Sequence, residues 1–265
     1  MNLIITAGGT TEAIDRVRKI TNSATGRLGS LTAGEFVKQG GSRIEKIFYV
    51  CEEGTAVPQL PRVEIVRVEG AEGARDALSR LFSSRRIDAV VHSMAVSDYA
   101  VGSLTTAGGL SRFLAQELFS HRPEEFPNED SLAEFIRQGI EKNDRLIDRS
   151  RKISSDIGDL MLTMRRTPKL MGLMKKWQPS VILVGFKLLN HVEPQALLDA
   201  GYGVLKKNAC DLVVANDSSQ IGGGRHTAYL ISPDRSFTKL ETKEKIAEEI
   251  ARRVLRLYER RAGTR

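Results

Sequence analysis

Cysteine is scarce in this chain, with two among 265 residues, and there are only one tryptophan and eight prolines. Cys51 and Cys210 build neither a disulfide framework nor a metal cluster, so a reducing cytoplasm is the expected compartment. Long hydrophobic runs are missing too. Uncharged stretches such as Val181–Val184 fall far short of the roughly 18–20 apolar residues that span a bilayer, and no membrane partner is expected. Met1–Thr6 carries no basic stretch ahead of its apolar residues and leads straight into a strand pattern, which argues against a signal peptide. The net charge is +7, yet eight basic residues between Lys243 and Arg265, set against Glu244, Glu248, Glu249 and Glu259, hold more than half of the excess. That charge belongs on the solvent face of one C-terminal helix. With aromatics at 6% and no basic patch interleaved with them, a nucleic-acid platform is not expected either.

What remains is an ordinary globular composition, 41% hydrophobic and 28% charged, long enough to bury a sizeable core. Short β-branched runs recur at Leu3–Thr6, Ile47–Val50, Val63–Val68, Ala89–Val91, Val181–Phe186 and Leu212–Ala215. Several are continuous rather than alternating, as parallel strands buried on both faces require. Between them Ala74, Ala77, Leu78, Leu81 and Phe82 follow the spacing of one buried helical stripe. This alternation predicts a three-layer α/β fold, a Rossmann-like open sheet that is mostly parallel. Thr227–Ile231 and Ser236–Leu240 flank a Ser-Pro-Asp-Arg turn and predict an antiparallel hairpin at the sheet edge. Ile246, Ile250, Val254 and Leu257 predict a final helix with Thr242 as N-cap. Residues 101–150 break the pattern. Two amphipathic segments, Leu110–Phe119 and Leu132–Ile147, are separated by Pro123 and Pro127, and nothing there reads as a strand. The expected organisation is one domain over residues 1–265 with a helical insertion at 101–150, a flap or dimer arm.

Ligands of open α/β sheets bind beyond the carboxyl ends of the strands. The first strand is followed by Thr6-Ala7-Gly8-Gly9-Thr10-Thr11-Glu12-Ala13-Ile14-Asp15, where two glycines permit a sharp turn that exposes amides and hydroxyls. A tight turn without a ligand has the same composition. Next, Arg18 and Arg27 bracket a small polar loop, Thr21-Asn22-Ser23-Ala24-Thr25-Gly26, with a helix behind it. That arrangement suits capture of phosphate or carboxylate, although a solvated loop before a helix looks alike. After the fourth strand, His92-Ser93-Met94-Ala95-Val96-Ser97-Asp98 sets a carboxylate where a substrate amide or hydroxyl is gripped, while His92 suits a hydrogen-bonded core position. Phe186 and Asn216, at later strand ends, suit stacking on and hydrogen bonding to a base, and equally suit a purely structural role. The patterns Gly-x-Gly-x-x-Gly and Gly-x-x-x-x-Gly-Lys-Ser/Thr are absent. That weighs against an NAD(P)-dependent reductase, the main alternative on sheet pattern alone, and against a Walker-type NTPase. A non-catalytic nucleotide-binding module is the other alternative.

Taken in order, several segments resemble the phosphopantothenate–cysteine ligase family of coenzyme A biosynthesis. They are Gly8-Gly9-Thr10-x-Glu12-x-Ile14-Asp15-x-Val17-Arg18, Ile20-x-Asn22-x-x-x-Gly26-x-x-Gly29, Ala95-Val96-Ser97-Asp98-Tyr99 and Lys152-Ile153 ahead of Gly158-Asp159-Leu160. Thr167-Pro168, Val184-Gly185-Phe186 and Asp211–Asp217 complete the series. The resemblance covers nearly the whole chain outside 101–150. With no flavin decarboxylase segment ahead of it, the chain resembles the stand-alone bacterial form. The resemblance implies that 4′-phosphopantothenate reacts with CTP to give an acyl-cytidylate and pyrophosphate, and that L-cysteine then displaces CMP to form an amide. It implies Mg²⁺ accompanying CTP, with no assignable metal ligands, and a homodimer. Asn22 is then expected to polarise the acyl carbonyl, Arg18 to anchor anionic groups, and Lys152 to close over the intermediate. Ser23, Gly26, Arg27 and Gly29, with Gly9, Thr10 and Asp15, are expected to surround phosphate and substrate. Ser93, Met94, Ala95, Asp98 and Phe186 are expected around the cytidine, with Pro168, Asn216, Lys206 and Lys207 on substrate or nucleotide. The family pattern has further lysines after the Lys152 position, where this chain has Ser154 and Ser155.

Overall fold

The computed structural model describes residues 1–222 and 224–263. The elements run β1 (Asn2–Ala7), β2 (Thr11–Ala13), β3 (Lys19–Thr21), α1 (Arg27–Gly40), β4 (Lys46–Cys51), β5 (Val63–Arg67), α2 (Gly70–Ser84) and β6 (Ala89–His92). They continue as β7 (Tyr99–Thr106), α3 (Ala107–Phe119), α4 (Glu129–Lys142), β8 (Leu160–Arg166), α5 (Leu170–Trp177) and β9 (Ile182–Leu189). The last are α6 (Pro194–Asn208), β10 (Leu212–Gly222), β11 (Arg225–Ile231), β12 (Phe237–Leu240) and α7 (Lys243–Gly263). The chain divides into two compact units. One comprises 1–11, 21–98 and the chain from 168 onward, and the other comprises 12–20 and 99–167.

The first unit is built on an eight-stranded sheet of order β12-β11-β10-β9-β6-β1-β4-β5. The six strands from β5 across to β10 pair in parallel, while β11 and β12 add antiparallel at one edge. Because side chains alternate along a strand, each apolar run supplies both faces. Leu3, Ile5 and Tyr49 enter a layer closed by Phe36 of α1 and by Ile250 and Val254 of α7. Ile4, Phe48 and Val90 enter the opposite layer with Leu78 of α2, Met174 of α5 and Leu197 of α6. The three-layer, mostly parallel sheet with its C-terminal hairpin is the fold the apolar pattern predicts. Thr242 caps α7 as expected, its hydroxyl accepting the Lys245 N–H at 3.2 Å. Glu249 pairs with both Arg252 and Arg253 on this helix; of its basic residues, Arg265 lies outside the described residues.

The second unit corrects the reading of 101–150. Residues Tyr99–Thr106 form a strand, β7, paired antiparallel with β8 from Tyr99↔Arg166 to Thr106↔Leu160. Its partner begins only at Leu160, outside the stretch, and a two-stranded ribbon owes its form to that distant pairing rather than to a local apolar pattern. The two expected helices are present between the strands. Thr106 caps α3 by accepting the Gly109 N–H at 2.8 Å, and Asn128 caps α4 by accepting the Ser131 N–H at 2.9 Å. The second helix ends at Lys142 rather than near Ile147, because Asn143 leaves helical backbone geometry and its side-chain amide donates to the Thr105 hydroxyl at 3.3 Å. Among the described residues no helix is long and apolar enough to cross a membrane.

Candidate active site

Beyond the carboxyl ends of β1, β6, β9 and β10 lies a cleft of about 710 Å³, lined by Gly8, residues 22–29, 93–96, Asp98, 186–188, Asn216, Ile221, His226 and Lys243. A second concavity of about 830 Å³, lined by residues that include Asn2, Asp88, Gln178 and Arg261, opens beside the amino ends of β1, β6 and β9, where ligands of such sheets do not bind.

One wall of the cleft is the loop between β1 and α1. Its shape follows from small residues. Gly26 precedes α1 with φ 77°, a left-handed conformation that disfavours residues with a Cβ; it has no side chain to cap the helix, and the Thr25 hydroxyl accepts the Arg27 N–H at 3.4 Å. Behind it, the buried Tyr49 hydroxyl donates toward the carbonyl oxygens of Gly26 at 3.1 Å and Ala56 at 2.8 Å. Burial raises the Tyr49 phenol well above its ordinary range, so it stays a neutral donor. Gly29, in the first turn of α1, packs on Ala7. At Gly9, a Cβ would stand 2.0 Å from the carbonyl oxygen of Asn22, so only glycine lets the two segments meet. The Asn22 side-chain amide donates to the Ala95 carbonyl at 3.0 Å, and the Thr10 N–H reaches the same oxygen at 3.0 Å. Thr10 is pinned in turn by Ser97, whose N–H donates to its hydroxyl at 2.8 Å. Asn22 is therefore held by the turns after β1 and β6 together.

The floor and far wall come from later strands. His92 is buried with Nδ1 2.8 Å from the Thr6 hydroxyl, and burial lowers its pKa to about 4. It is a neutral core residue, as its sequence context suggested. Asp98 lies at the cleft rim and pairs with Lys169, which follows Pro168. Arg27, Lys187 and Lys243 give the cleft a positive lining, while Asn216 and His226 stand together with Nδ2 3.3 Å from Nε2.

Gly9 and Thr10 thus support Asn22, and Ser23, Gly26, Arg27, Gly29, Ser93, Met94, Ala95, Asp98, Phe186 and Asn216 line one cleft. Lys206 and Lys207 do not reach it. They occupy the exposed last turn of α6, which returns the chain to the start of β10, and Lys206 packs 5.8 Å above the Tyr202 ring. Tyr202 and Lys206 carry the Tyr-x-x-x-Lys spacing of some reductases, but neither lines the cleft.

Asp15, Arg18 and Lys152 belong to the second unit. The Asp15 carboxylate accepts the Val17 and Arg18 N–H groups at 2.7 Å, the Arg18 guanidinium at 3.0 Å and the Ile153 N–H at 3.2 Å. These bonds, chiefly from the Arg18 and Val17 amides, lower its pKa to about 2. Lys152 is exposed, immediately before the buried Ile153 that this turn grips. Arg149 donates to the Ile14 carbonyl at 2.8 Å and to that of Val101 at 3.1 Å, tying the same turn to β7. Lys187 directly follows Phe186 in the sequence. Tyr49, Lys169, His226 and Lys243 carry no local motif, and only the fold of the first unit brings them in. Among the described residues no group of three or more His, Cys, Asp or Glu is arranged to hold a metal ion.

The family model described as the DNA/pantothenate metabolism flavoprotein C-terminal domain matches residues 1–107 and 146–258. The chain belongs to this family. The stretch between the matched segments takes in nearly all of α3 and all of α4. The coenzyme A biosynthesis bifunctional protein CoaBC of Thermococcus kodakarensis is 25% identical over 253 residues, 94% of this chain and 50% of its own length. That of Bacillus subtilis is 26% identical over 225 residues, 84% of this chain and 42% of its own length. The chain therefore spans about half the length of these bifunctional relatives. The crystal structure of the DNA/pantothenate metabolism flavoprotein from Streptococcus pneumoniae superposes with a TM-score of 0.75 at 28% identity, covering 97% of this chain and 99% of that one. A Cab2 variant solved in complex with phosphopantothenate-cysteine shares the fold, with a TM-score of 0.66 at 16% identity over 99% of this chain and 88% of its own.

Proposed function

We propose that this member of the DNA/pantothenate metabolism flavoprotein C-terminal domain family is a phosphopantothenate–cysteine ligase that uses CTP, working as a homodimer in the cytoplasm. The observation that carries this reading is the fixed Asn22 amide beside the glycine-led start of α1 in a cation-lined cleft. An amide nitrogen has two hydrogens. Ala95 takes one, so the other is free to donate to an oxygen that gains charge during acyl transfer.

In the first half-reaction a carboxylate oxygen of 4′-phosphopantothenate attacks the α-phosphorus of CTP, forming the acyl-cytidylate as pyrophosphate leaves. Two polyanions must approach for this, and Arg27, Lys187, Lys243 and the α1 amides supply the opposing charge. In the second, the cysteine amine attacks the acyl carbonyl, CMP departs with the electron pair of the broken C–O bond, and the amine proton goes to solvent or phosphate. Asn22 would bind the oxyanion at that stage. Arg18 and Lys152 would supply charge to the phosphates, with Lys152 stabilising the departing CMP. Mg²⁺ would arrive on the triphosphate, whose oxygens ligate it. The described residues form no cage of His, Cys, Asp or Glu for it.

Incubating the protein with CTP, 4′-phosphopantothenate, L-cysteine and Mg²⁺ tests the reading. Pyrophosphate and CMP should appear together with phosphopantothenoylcysteine. Pyrophosphate that forms equally without phosphopantothenate, or none at all, would refute it.

A further inference from the structure

His226 is 7% exposed, and its Nδ1 has no hydrogen-bond partner among the described residues, although the residue lines the cleft. Its other ring nitrogen is engaged. Asn216 Nδ2, which can only donate, lies 3.3 Å from His226 Nε2, so Nε2 accepts. Burial and the nearby Lys243 ammonium both lower the His226 pKa, which keeps the ring neutral. A neutral imidazole that accepts at Nε2 carries its proton on Nδ1. His226, a residue of the cleft wall, therefore holds a buried N–H donor without an acceptor, a costly arrangement unless a ligand acceptor meets it. The backbone arranges this. A register shift in the β10–β11 pairing between Asn216 and Ile221 brings His226 opposite Ile221, at the cleft end of β11.

Its position limits what the acceptor is. The phosphate-suited loop lies at the end of β1, whereas Phe186, Asn216 and His226 stand on β9, β10 and β11. At roughly 4.8 Å per strand these are about 10–19 Å away, the scale of an extended nucleoside triphosphate. An aromatic ring, an amide and an imidazole together suit a flat heterocycle with a polar edge. We propose that His226 reads the nucleobase edge, donating from Nδ1 to a ring or carbonyl acceptor and so setting which triphosphates bind. The inference rests on the nucleotide-dependent function above and adds a specificity-determining residue to it.

Paired variants separate the two nitrogens. In His226→Asn the amide nitrogen is bonded to Cγ, as Nδ1 is, so a donor is retained. In His226→Gln the amide reaches the Nε2 position, so the contact to Asn216 is retained and the Nδ1 donor is lost. Calorimetric titration should show CTP bound about tenfold more weakly by His226→Gln, the value of one hydrogen bond, and within about threefold of wild type by His226→Asn. Inorganic tripolyphosphate, which has no base, should bind all three alike. In the wild-type protein the His226 Nδ1–H proton resonance should move downfield with CTP and stay put with tripolyphosphate, a readout that does not depend on any variant folding. An unmoved resonance with unchanged CTP affinity in His226→Gln, or equal losses for CTP and tripolyphosphate, overturns the role of His226 alone. Wild-type protein that binds tripolyphosphate but not CTP overturns the inference together with the function on which it rests.

Discussion

The side-chain nitrogen of Asn22 and the carbonyl oxygen of Ala95 are 3.0 Å apart, and that oxygen also accepts the Thr10 N–H. One acceptor thus couples the turns after β1 and β6 to a single amide whose remaining hydrogen faces no competing assignment in the proposed chemistry. The hydrogen bond removes the rotational freedom that an exposed asparagine would otherwise lose on binding substrate.

Asn22→Ala should leave the fold intact and cut ligation by about 10²–10³, the usual cost of one preorganised donor. Circular dichroism and a pyrophosphate assay on the same preparation decide it. Wild-type turnover in a folded variant would remove Asn22 from the chemistry.

Gly9→Ala tests the same relationship from the other side. The added Cβ would stand 2.0 Å from the Asn22 carbonyl oxygen, so the Asn22 segment must move. Turnover should fall by at least tenfold with little change in melting temperature, since the β1 core beneath is untouched. Full activity would mean that the position of Asn22 is not critical.

The strands of the central sheet were legible because parallel strands buried on both faces need continuous apolar runs, as in Leu3–Ile5 and Val181–Val184. The β7–β8 ribbon was not. Met161, Leu162 and Met164 are exposed, and the ribbon is defined by pairing across some sixty residues rather than by local pattern. The site divides in the same way. Asn22, Gly26, Asp98 and Phe186 sit in contiguous motifs at strand ends. His226 and Lys243 come from β11 and the start of α7, and only the antiparallel edge of the sheet brings them to the cleft. The Lys206-Lys207 pair shows the reverse failure, since a basic doublet near a motif revealed nothing of which end of the sheet it occupies.

Asp15 makes the turn of the second unit pH-dependent. Its folded pKa, about 2, lies below the ordinary value of 3.8, so the carboxylate contributes stability above pH 3.8 that is lost as pH falls toward 2. Hydrogen-exchange protection of the Ile153 and Val17 amides, corrected for intrinsic rates, should therefore fall between about pH 4 and pH 2. In Asp15→Ala it should be low throughout. Protection that is unchanged in the variant would show that other contacts hold the turn.

Lys152→Gln should separate the half-reactions. The residue is exposed on a stretch without helix or strand, and an acyl-cytidylate carries a phosphate whose charge grows as CMP departs. The variant should release pyrophosphate in a single turnover and accumulate acyl-cytidylate detectable by mass spectrometry. Equal loss of both steps would assign Lys152 to nucleotide binding, and full activity would return it to the solvated surface.

The most direct test of the account is a stoichiometry. In the presence of Mg²⁺, pyrophosphate, CMP and phosphopantothenoylcysteine should be measured together as L-cysteine is withheld and then added. The account predicts one equivalent of pyrophosphate per site before cysteine, with CMP and the amide product released one to one only after it. Release of CDP and inorganic phosphate in place of pyrophosphate and CMP, or amide formation without CTP, would contradict it.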